Sequence, residues 1–587
     1  MIWHYVAENL IDLWMQCVHY RHNSLYRYIG GKKVNTPQIE KLKVFALGGI
    51  GEIGKNMYVL EMEDSIYIMD TGVMIPEDGM LGIDMVIPDT TYLEDNKDKI
   101  KGIFLTHGHE EHMGGLAYIL RKLKAPVYGT KFTLALAKEL VNGLGSKGQV
   151  EFMEVDDSTV LELPQTTVTF FRTNHSIPDS IGICFHTPQG AIVHTGDFKF
   201  DQSQLSKNAD IGKIAEIGNK GVLCVLSDST NAEKPGYTIS ESVVRQEIAD
   251  VTYNAKGRVF AACLSTNVGR IQQIVQAAVD SNRKLVVVSH PTDRNFTIAT
   301  ELEYLQIPDD LLVPVNELGN LKDDNVVVLT IGTHSQLMSS LLKMAKGTHK
   351  HAQIKKHDIV MIAASPSPGT ELTVAKVIDK LYRAGAVVMY GQKKIHSSGH
   401  GCQEELKLML NLLKPKYVIP IQGEFKMQRA LSKVAESVGI DKDNIFLLNK
   451  GEVVEFNKGT GKYAGKVYAG NVLIDGLGVG DIGNIVLRDR RLLSQDGIMV
   501  VVVSISKSQK RIIAGPEILS RGFVYVRESE ELLDRANAIV TEILDNAVKE
   551  QILEWSSLKL KIRESLNQHL YEKTRRRPMI LPIIMEV

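Results

Sequence analysis

Four side chains of the kinds that hold metal ions crowd into one short stretch. Leu105-Thr106-His107-Gly108-His109-Glu110-Glu111-His112 carries three histidines and an acid, Glu111, within six residues. It directly follows the apolar run Gly102 to Leu105 and precedes a glycine pair, Gly114 and Gly115. A lone histidine on an apolar face is usually a satisfied core group, but this density is hard to explain as packing. His107 and His109 can project to one side of an extended turn, with Glu111 and His112 at the start of a following helix. Imidazole and carboxylate ligands without thiol suit zinc or manganese, and a site that keeps a position open for water suits hydrolysis. Two later pieces extend the set. His175 follows the strand-like run Thr167 to Thr173, and Asp197 follows Ala191 to Thr195. One carboxylate has two oxygens, so Asp197 could bridge two metals about 3.5–4 Å apart, which stabilises both oxygens of a phosphodiester displacement.

These residues must be placed by the elements before them. From Lys43 the chain reads as short strands, 43–49, 56–63, 65–72 and 102–109, and their polar clusters fall where the strands end. Helical patterns cover 113–123 and 131–141. Gly49-Ile-Gly51-Glu-Ile-Gly54, with Asp70 downstream, mimics a dinucleotide-binding turn. That site needs its last glycine to open a helix, whereas Asn56 to Glu63 alternates as a strand, so a glycine-rich hairpin turn is the better reading. From 243 to 380 helices and strands alternate, as in a parallel α/β unit. The earlier strand-and-loop style then returns, so this unit is expected to be inserted into the first. The expected domains are 36–242 with 381–470, the insert 243–380, and a third unit 471–587 with a helical region from Leu532 to Leu570. Residues 1–35, which hold Trp3 and Trp14, are expected to be a disordered extension rather than a functional arm, with none of the features of a signal peptide.

The whole-chain balance agrees with a folded, multidomain protein. At about 100–200 residues per domain, 587 residues make two to four domains. Lys plus Arg total 68 and Asp plus Glu 69, for a net charge of −1, which argues against a basic nucleic-acid coat but not against a local basic groove. The longest apolar run, Ile498 to Ile505, has strand length and is far short of the ~20 residues of a membrane helix. Five scattered cysteines without a CxxC pair fit a reducing cytoplasm.

The ordered motifs resemble a known family. Asp70-Thr71-Gly72, the His107/His109/His112 cluster, His175 and Asp197 match the metallo-β-lactamase fold. Ser227-Asp228-Ser229-Thr230-Asn231, the insert, and His396-Ser397-Ser398-Gly399-His400 resemble the β-CASP nucleases. From Lys43 to Val587, including Ser520 to Val526, the chain is similar to bacterial ribonuclease J. The resemblance implies an αββα metallo-β-lactamase sandwich with an inserted β-CASP α/β domain and a small C-terminal α/β domain. It implies a 5′-to-3′ exoribonuclease with endonuclease activity, acting in mRNA decay and rRNA maturation in the cytoplasm. Two zinc ions are implied, with Mn2+ or Mg2+ as alternatives. His107, His109, Glu111, His112, His175 and Asp197 would be ligands, with Glu111, Asp197 and His400 catalytic. His396, Ser397, Ser398, Gly399 and His400 would bind an RNA phosphate, with Asp228 orienting the loop and Lys393, Lys394 and His396 adding local charge. Arg575 to Arg577 reads equally as a phosphate patch or a solvated turn. The implied partners are RNA, a ribonuclease J paralogue, a second copy of the chain and components of an RNA-degradation complex, with no membrane.

Three positions depart from the family pattern. Glu111 stands where the cluster has Asp, which shifts the carboxylate by about 1.5 Å, and misplacement by ~1 Å can cost about 100-fold. Gln422, in Pro420-Ile-Gln-Gly-Glu424, stands where the family has a histidine ligand. Gly332-Thr-His-Ser-Gln336 replaces a TGSQGE-type loop. Together they imply weak activity and resemble the second, weakly active ribonuclease J paralogue of Firmicutes. The alternative is a largely inactive structural and RNA-binding subunit that stabilises an active paralogue. A small-molecule metallo-hydrolase fits less well, since a small substrate needs no phosphate-tracking groove.

Overall fold

A computed structural model describes residues 41–77, 79–145, 150–203, 208–290, 294–365, 370–391, 394–506, 509, 511–525, 529–550 and 554–587. The extension expected at 1–35, and Lys393, lie outside the described residues.

Two sheets form the body that carries the metal-ligand motifs. The first has eight strands in the order Thr460–Lys466, Glu452–Asn457, Lys41–Gly48, Met57–Met62, Ser65–Met69, Ile100–Phe104, Val127–Gly129 and Phe152–Glu154. The second has six, in the order Tyr417–Ile421, Val222–Asp228, Gly190–His194, Ile181–Thr187, Thr166–Arg172 and Val160–Leu163. Strands Tyr417–Ile421 and Glu452–Asn457 come from beyond the insert, so the chain returns to complete both sheets, as the sequence implies. An aromatic layer joins the sheets: the Phe185 ring lies 5.4 Å from Phe104 and 5.5 Å from Tyr67, edge-on or tilted as ring quadrupoles prefer. Helices cover the outer faces. Phe132, Leu136 and Ala137 of helix Lys131–Gly143 share a buried cluster with Phe45, Val59 and Ile68. Ile214, Leu406 and Leu431, from helices Ile211–Lys220, Gln403–Leu413 and Phe425–Ser437, pack with Val193, Val225 and Val418. The layering is helix, sheet, sheet, helix.

The insert is a five-stranded, wholly parallel sheet in the order Lys284–Val288, Val326–Gly332, Val259–Leu264, Ile359–Ile362 and Val387–Met389. Val326–Gly332 is buried at every residue, which explains why VVVLTIG reads as a continuous apolar run. The fifth strand lies past position 380, so the sheet continues beyond the boundary expected there. The pattern weakens there because Val387–Met389 is only three residues long and partly exposed. One face of the insert has its own core around Phe260, Val328, Leu341 and Val360. Its other face, with Ala261, Cys263 and Leu329, joins the cluster that holds Phe132 of the two-sheet body.

Strand Asn471–Asp475 pairs with Met85–Pro88 of the body. Beyond it, Ile498–Ser506 is the central strand of a separate sheet, antiparallel to Arg511–Arg521 and parallel to Met579–Glu586. The helical region expected over 532–570 is realised as two helices, Glu530–Lys549 and Trp555–Thr574, which bury Val540, Leu544, Ile562 and Leu566 against that sheet.

Candidate metal centre

The ligand-type residues converge where strands of both sheets end. Strand Ile100–Phe104 delivers His107 and His109, and His109 is the N-cap of the short helix Glu110–Met113. The segment after Thr166–Arg172 delivers His175, and the segment after Gly190–His194 delivers Asp197. His109 Nδ1 lies 3.1 Å from His107 Nε2 and 3.1 Å from His175 Nε2. Asp197 Oδ2 is 3.6 Å from both of those Nε2 atoms. All four ligand atoms fall within 4.8 Å of one another.

The imidazoles are oriented from behind. His175 donates through Nδ1 to the Gly399 carbonyl at 2.7 Å, which turns Nε2 inward. Gly399 is required here, since a Cβ would sit 2.5 Å from the His175 ring. His107 Nδ1 is 3.0 Å from Thr106 Oγ1, so its Nε2 also faces in. Burial holds His107 well below its ordinary pKa and brings His109 and His175 to about 3. These are neutral imidazoles whose lone pairs face one another around a buried carboxylate. Asp197 Oδ1 is itself buried without a hydrogen-bond partner among the described residues. Lone pairs so opposed call for a cation, and the N and O donor set fits a divalent metal ion such as zinc.

A second position on Asp197 is built differently. His112 gives Nδ1 to Asp70 Oδ2 at 2.7 Å and turns Nε2 to Asp197 Oδ2 at 3.3 Å. Burial opposes charge on His112, but Asp197 and Asp70 outweigh it and raise its pKa well above 6.5. Burial likewise opposes ionisation of Asp197, but His112 and then His400 outweigh it and hold the carboxyl well below its ordinary range. Gln422 donates from Nε2 to the same Asp197 oxygen at 3.0 Å. The Asn56 amide nitrogen lies 3.2 Å from His112 Nε2 and donates to the Glu111 carbonyl at 3.0 Å. Amide N–H groups therefore point to the place a second cation would take. Glu111 keeps its carboxylate outside the four-ligand set, though it favours the charge on His400.

The loop 396–400 closes the site. His400 Nδ1 meets Asp228 Oδ2 at 2.7 Å and Asp197 Oδ2 at 3.8 Å. Burial opposes its charge, but Asp228 foremost and then Asp197 raise its pKa to about 9. Asn231 holds the loop by donating to Ser398 Oγ and the His400 carbonyl, both at 2.8 Å. Ser397 is turned inward and donates to the Ile239 carbonyl at 2.5 Å. His396 adds no local charge, because burial and then nearby Arg270 lower its pKa to about 4. Thr333 and Gln336 cap helix His334–Ala345 and line a cavity of 580 Å3 that also touches Gly108, Glu110 and Arg294. Arg576 and Arg577 are engaged structurally, with the Phe523 carbonyl and the Tyr571 ring. Asn56 and Thr106 escape sequence reading, because one asparagine after a turn and one threonine in a strand end carry no spacing signal.

Comparison with known proteins agrees with this architecture. Residues 50–233 match the metallo-beta-lactamase superfamily, 256–381 the ribonuclease J beta-CASP domain, 386–446 a Zn-dependent metallo-hydrolase RNA specificity domain, and 485–587 the ribonuclease J C-terminal domain. The chain is 52% identical over 557 residues to ribonuclease J2 of Bacillus subtilis (strain 168), covering 95% of this chain and 100% of that one. It is 46% identical over 547 residues to ribonuclease J 2 of Staphylococcus epidermidis (strain ATCC 12228 / FDA PCI 1200), covering 93% and 98%. Ribonuclease J 2 of Staphylococcus aureus (strain NCTC 8325 / PS 47) gives the same identity and coverage. A crystal structure of a protein of unknown function from Enterococcus faecalis V583 superposes with a TM-score of 0.51 at 15% identity, over 71% of this chain and 100% of that one, a likeness of fold alone.

Proposed function

Since the chain belongs to the ribonuclease J family of metal-dependent, RNA-binding nucleases and matches its second paralogue, we propose that it is a 5′-to-3′ exoribonuclease with endonuclease activity whose turnover is held low by Gln422 and Glu111. It would act in mRNA decay and rRNA maturation. The observation that carries the reading is the Gln422 amide donating to Asp197 Oδ2 at 3.0 Å. An amide N–H occupies the direction from which a second cation would take that oxygen, and an amide is a poor zinc ligand. His107, His109, His175 and Asp197 would hold one zinc firmly. The position formed by Glu111, His112, Asp197 and Gln422 would hold a second weakly.

Zinc supplies Lewis acidity to a phosphodiester oxygen and to water when bound. The chain's own residues do the rest. Glu111 would orient the attacking water and accept its proton. Charged His400, braced by Asp228, would donate a hydrogen bond to the phosphate, together with backbone and Ser398 groups of the 396–400 loop. The neighbouring Gly399 lets a backbone approach closely. RNA would be held in this local cleft without base readout, which suits a net charge of −1. A cytoplasmic setting is supported by Cys184, Cys224, Cys263 and Cys402, all buried and unpaired.

The same hydrogen bond favours one competing reading. If Asp197 Oδ2 is satisfied internally, the chain could serve mainly as an RNA-binding subunit of a paralogue-containing assembly. Degradation of 5′-monophosphorylated RNA by the purified chain, measured with its zinc content, separates the two. The expected result is slow degradation that rises when Glu111→Asp is combined with Gln422→His. Two zinc equivalents and a rate the double change cannot improve would sink the weakened-site reading. An inert, metal-poor chain that co-purifies with a paralogue would favour the subunit.

A further inference from the structure

The inserted domain joins the two-sheet body through two segments, 238–241 on the way in and 395–402 on the way out. A buried charge network lies between them. Lys199, two residues after Asp197 and 1% exposed, donates from Nζ to Glu241 Oε1 at 2.9 Å and Ser397 Oγ at 3.3 Å. Asp201 Oδ2 lies 3.9 Å from the same ammonium. Glu241 opens the first helix of the insert, Glu241–Asn254, and its Oε2 accepts from Arg270 Nη2 at 2.8 Å and Gln273 Nε2 at 3.0 Å. Arg270, also 1% exposed, sends Nη1 to the Ile395 carbonyl at 2.8 Å. Two cations and two carboxylates balance, as charges out of water require.

We propose that Arg270 is a positioning residue: with Glu241 and Lys199 it fixes the insert to the nuclease body and thereby places the 396–400 loop against His175 and Asp197. The inference rests on reading that loop as the phosphate-binding element. Ile395 immediately precedes the loop, so the Arg270 bond holds its first peptide. Ser397, held by Lys199 and the Ile239 carbonyl, is a second anchor. Between those anchors and Asn231 the loop presents the Gly399 carbonyl to His175 Nδ1. Gly399 has no spare room, since a Cβ would already sit 2.5 Å from the His175 ring. A small shift of the loop therefore either collides with His175 or releases it. Arginine suits the role because its planar fork reaches two partners in fixed geometry, whereas a lysine ammonium is a single flexible point charge.

The test uses the full chain with Arg270→Lys, which keeps a charge for Glu241 but cannot also hold Ile395. The double variant Glu241→Gln with Arg270→Gln removes the charges as a pair. Amide hydrogen exchange over 397–401 and affinity for a 5′-monophosphorylated oligoribonucleotide are measured, with zinc content and thermal midpoint alongside. Both variants are expected to show faster exchange confined to the loop and RNA affinity lowered about tenfold or more, as for catalytic groups displaced by a fraction of an ångström, with any fall in zinc content tracking the release of His175 from Gly399. Unchanged exchange in both variants overturns the inference, and so does a uniform rise across the whole insert, which would mark general stabilisation only. Faster loop exchange with unaltered RNA affinity, or a wild type that binds no RNA, would leave the network in place and instead sink the reading of the loop as a phosphate site.

Discussion

Asp197 has one oxygen facing two neutral imidazoles, His112, His400 and a carboxamide, and another without a hydrogen-bond partner among the described residues. Removing its charge should empty the centre. Asp197→Asn is expected to drop zinc from stoichiometric to trace by elemental analysis, while a chain that keeps its zinc would show that the three histidines suffice. Gln422→His is expected to add a second equivalent, read the same way. His396 gives a pH signature. Its pKa lies near 4 in the fold, because of burial and then Arg270, against an ordinary 6.5. The unfolded chain therefore binds the extra proton between those values, so the contribution of neutral His396 is complete above pH 6.5 and is lost as pH falls towards 4. Thermal midpoints of wild type and His396→Gln should converge across that interval. At this scale the clustering of ligand-type residues is legible in the sequence because three histidines stand within six residues. Inward-turned Ser397 and neutral His396 are not, because a motif shows which residues sit in a loop but not which way each one faces. Asn56, Lys199 and Arg270 are illegible for a further reason. Among their partners, Glu111, Ile395 and Ser397 lie 55, 125 and 198 positions away, and nothing local marks those pairings.

The strand ends and helix starts show why the elements hold these residues where they do. Strand patterns and the insertion are readable because buried parallel strands such as Val326–Gly332 are apolar throughout. The short, half-exposed Val387–Met389 escapes for the opposite reason. Strand Val259–Leu264 starts beside Arg258, whose guanidinium grips buried Asp358 at 3.0 Å through Nε and 2.5 Å through Nη2. Asp358→Ala leaves that buried arginine with only the Gln353 carbonyl at 2.7 Å and Asp323 Oδ1 at 3.8 Å, so a destabilisation of about 1–3 kcal/mol is expected in chemical denaturation. A loss under 1 kcal/mol would mean that Arg258 finds water. The Thr333–Gln336 capping box satisfies orphan amides at the start of helix His334–Ala345. Thr333→Ala should lower stability by about 1 kcal/mol, with a larger effect only if the cavity it lines also collapses. These residues differ from the family loop, yet their first duty is to start a helix.

Across the whole molecule, a net charge of −1 offers no global attraction for a polyanion, so the proposed RNA binding would depend on local geometry at the cleft. The insert enters and leaves through segments that touch: Ser397 donates to the Ile239 carbonyl at 2.5 Å, a residue 158 positions earlier in the chain. The chain between them forms a closed loop whose ends are already together. Closure entropy grows only with the logarithm of loop length, so the length of chain between the two contact points by itself costs the body little. The insert is in this sense a cassette. On closure entropy alone, inserts of very different size could sit on the same hinge without any change to the strands that lead to His107, His109, His175 and Asp197; what a shorter insert would have to replace is the apolar face of Ala261, Cys263 and Leu329 in the shared core.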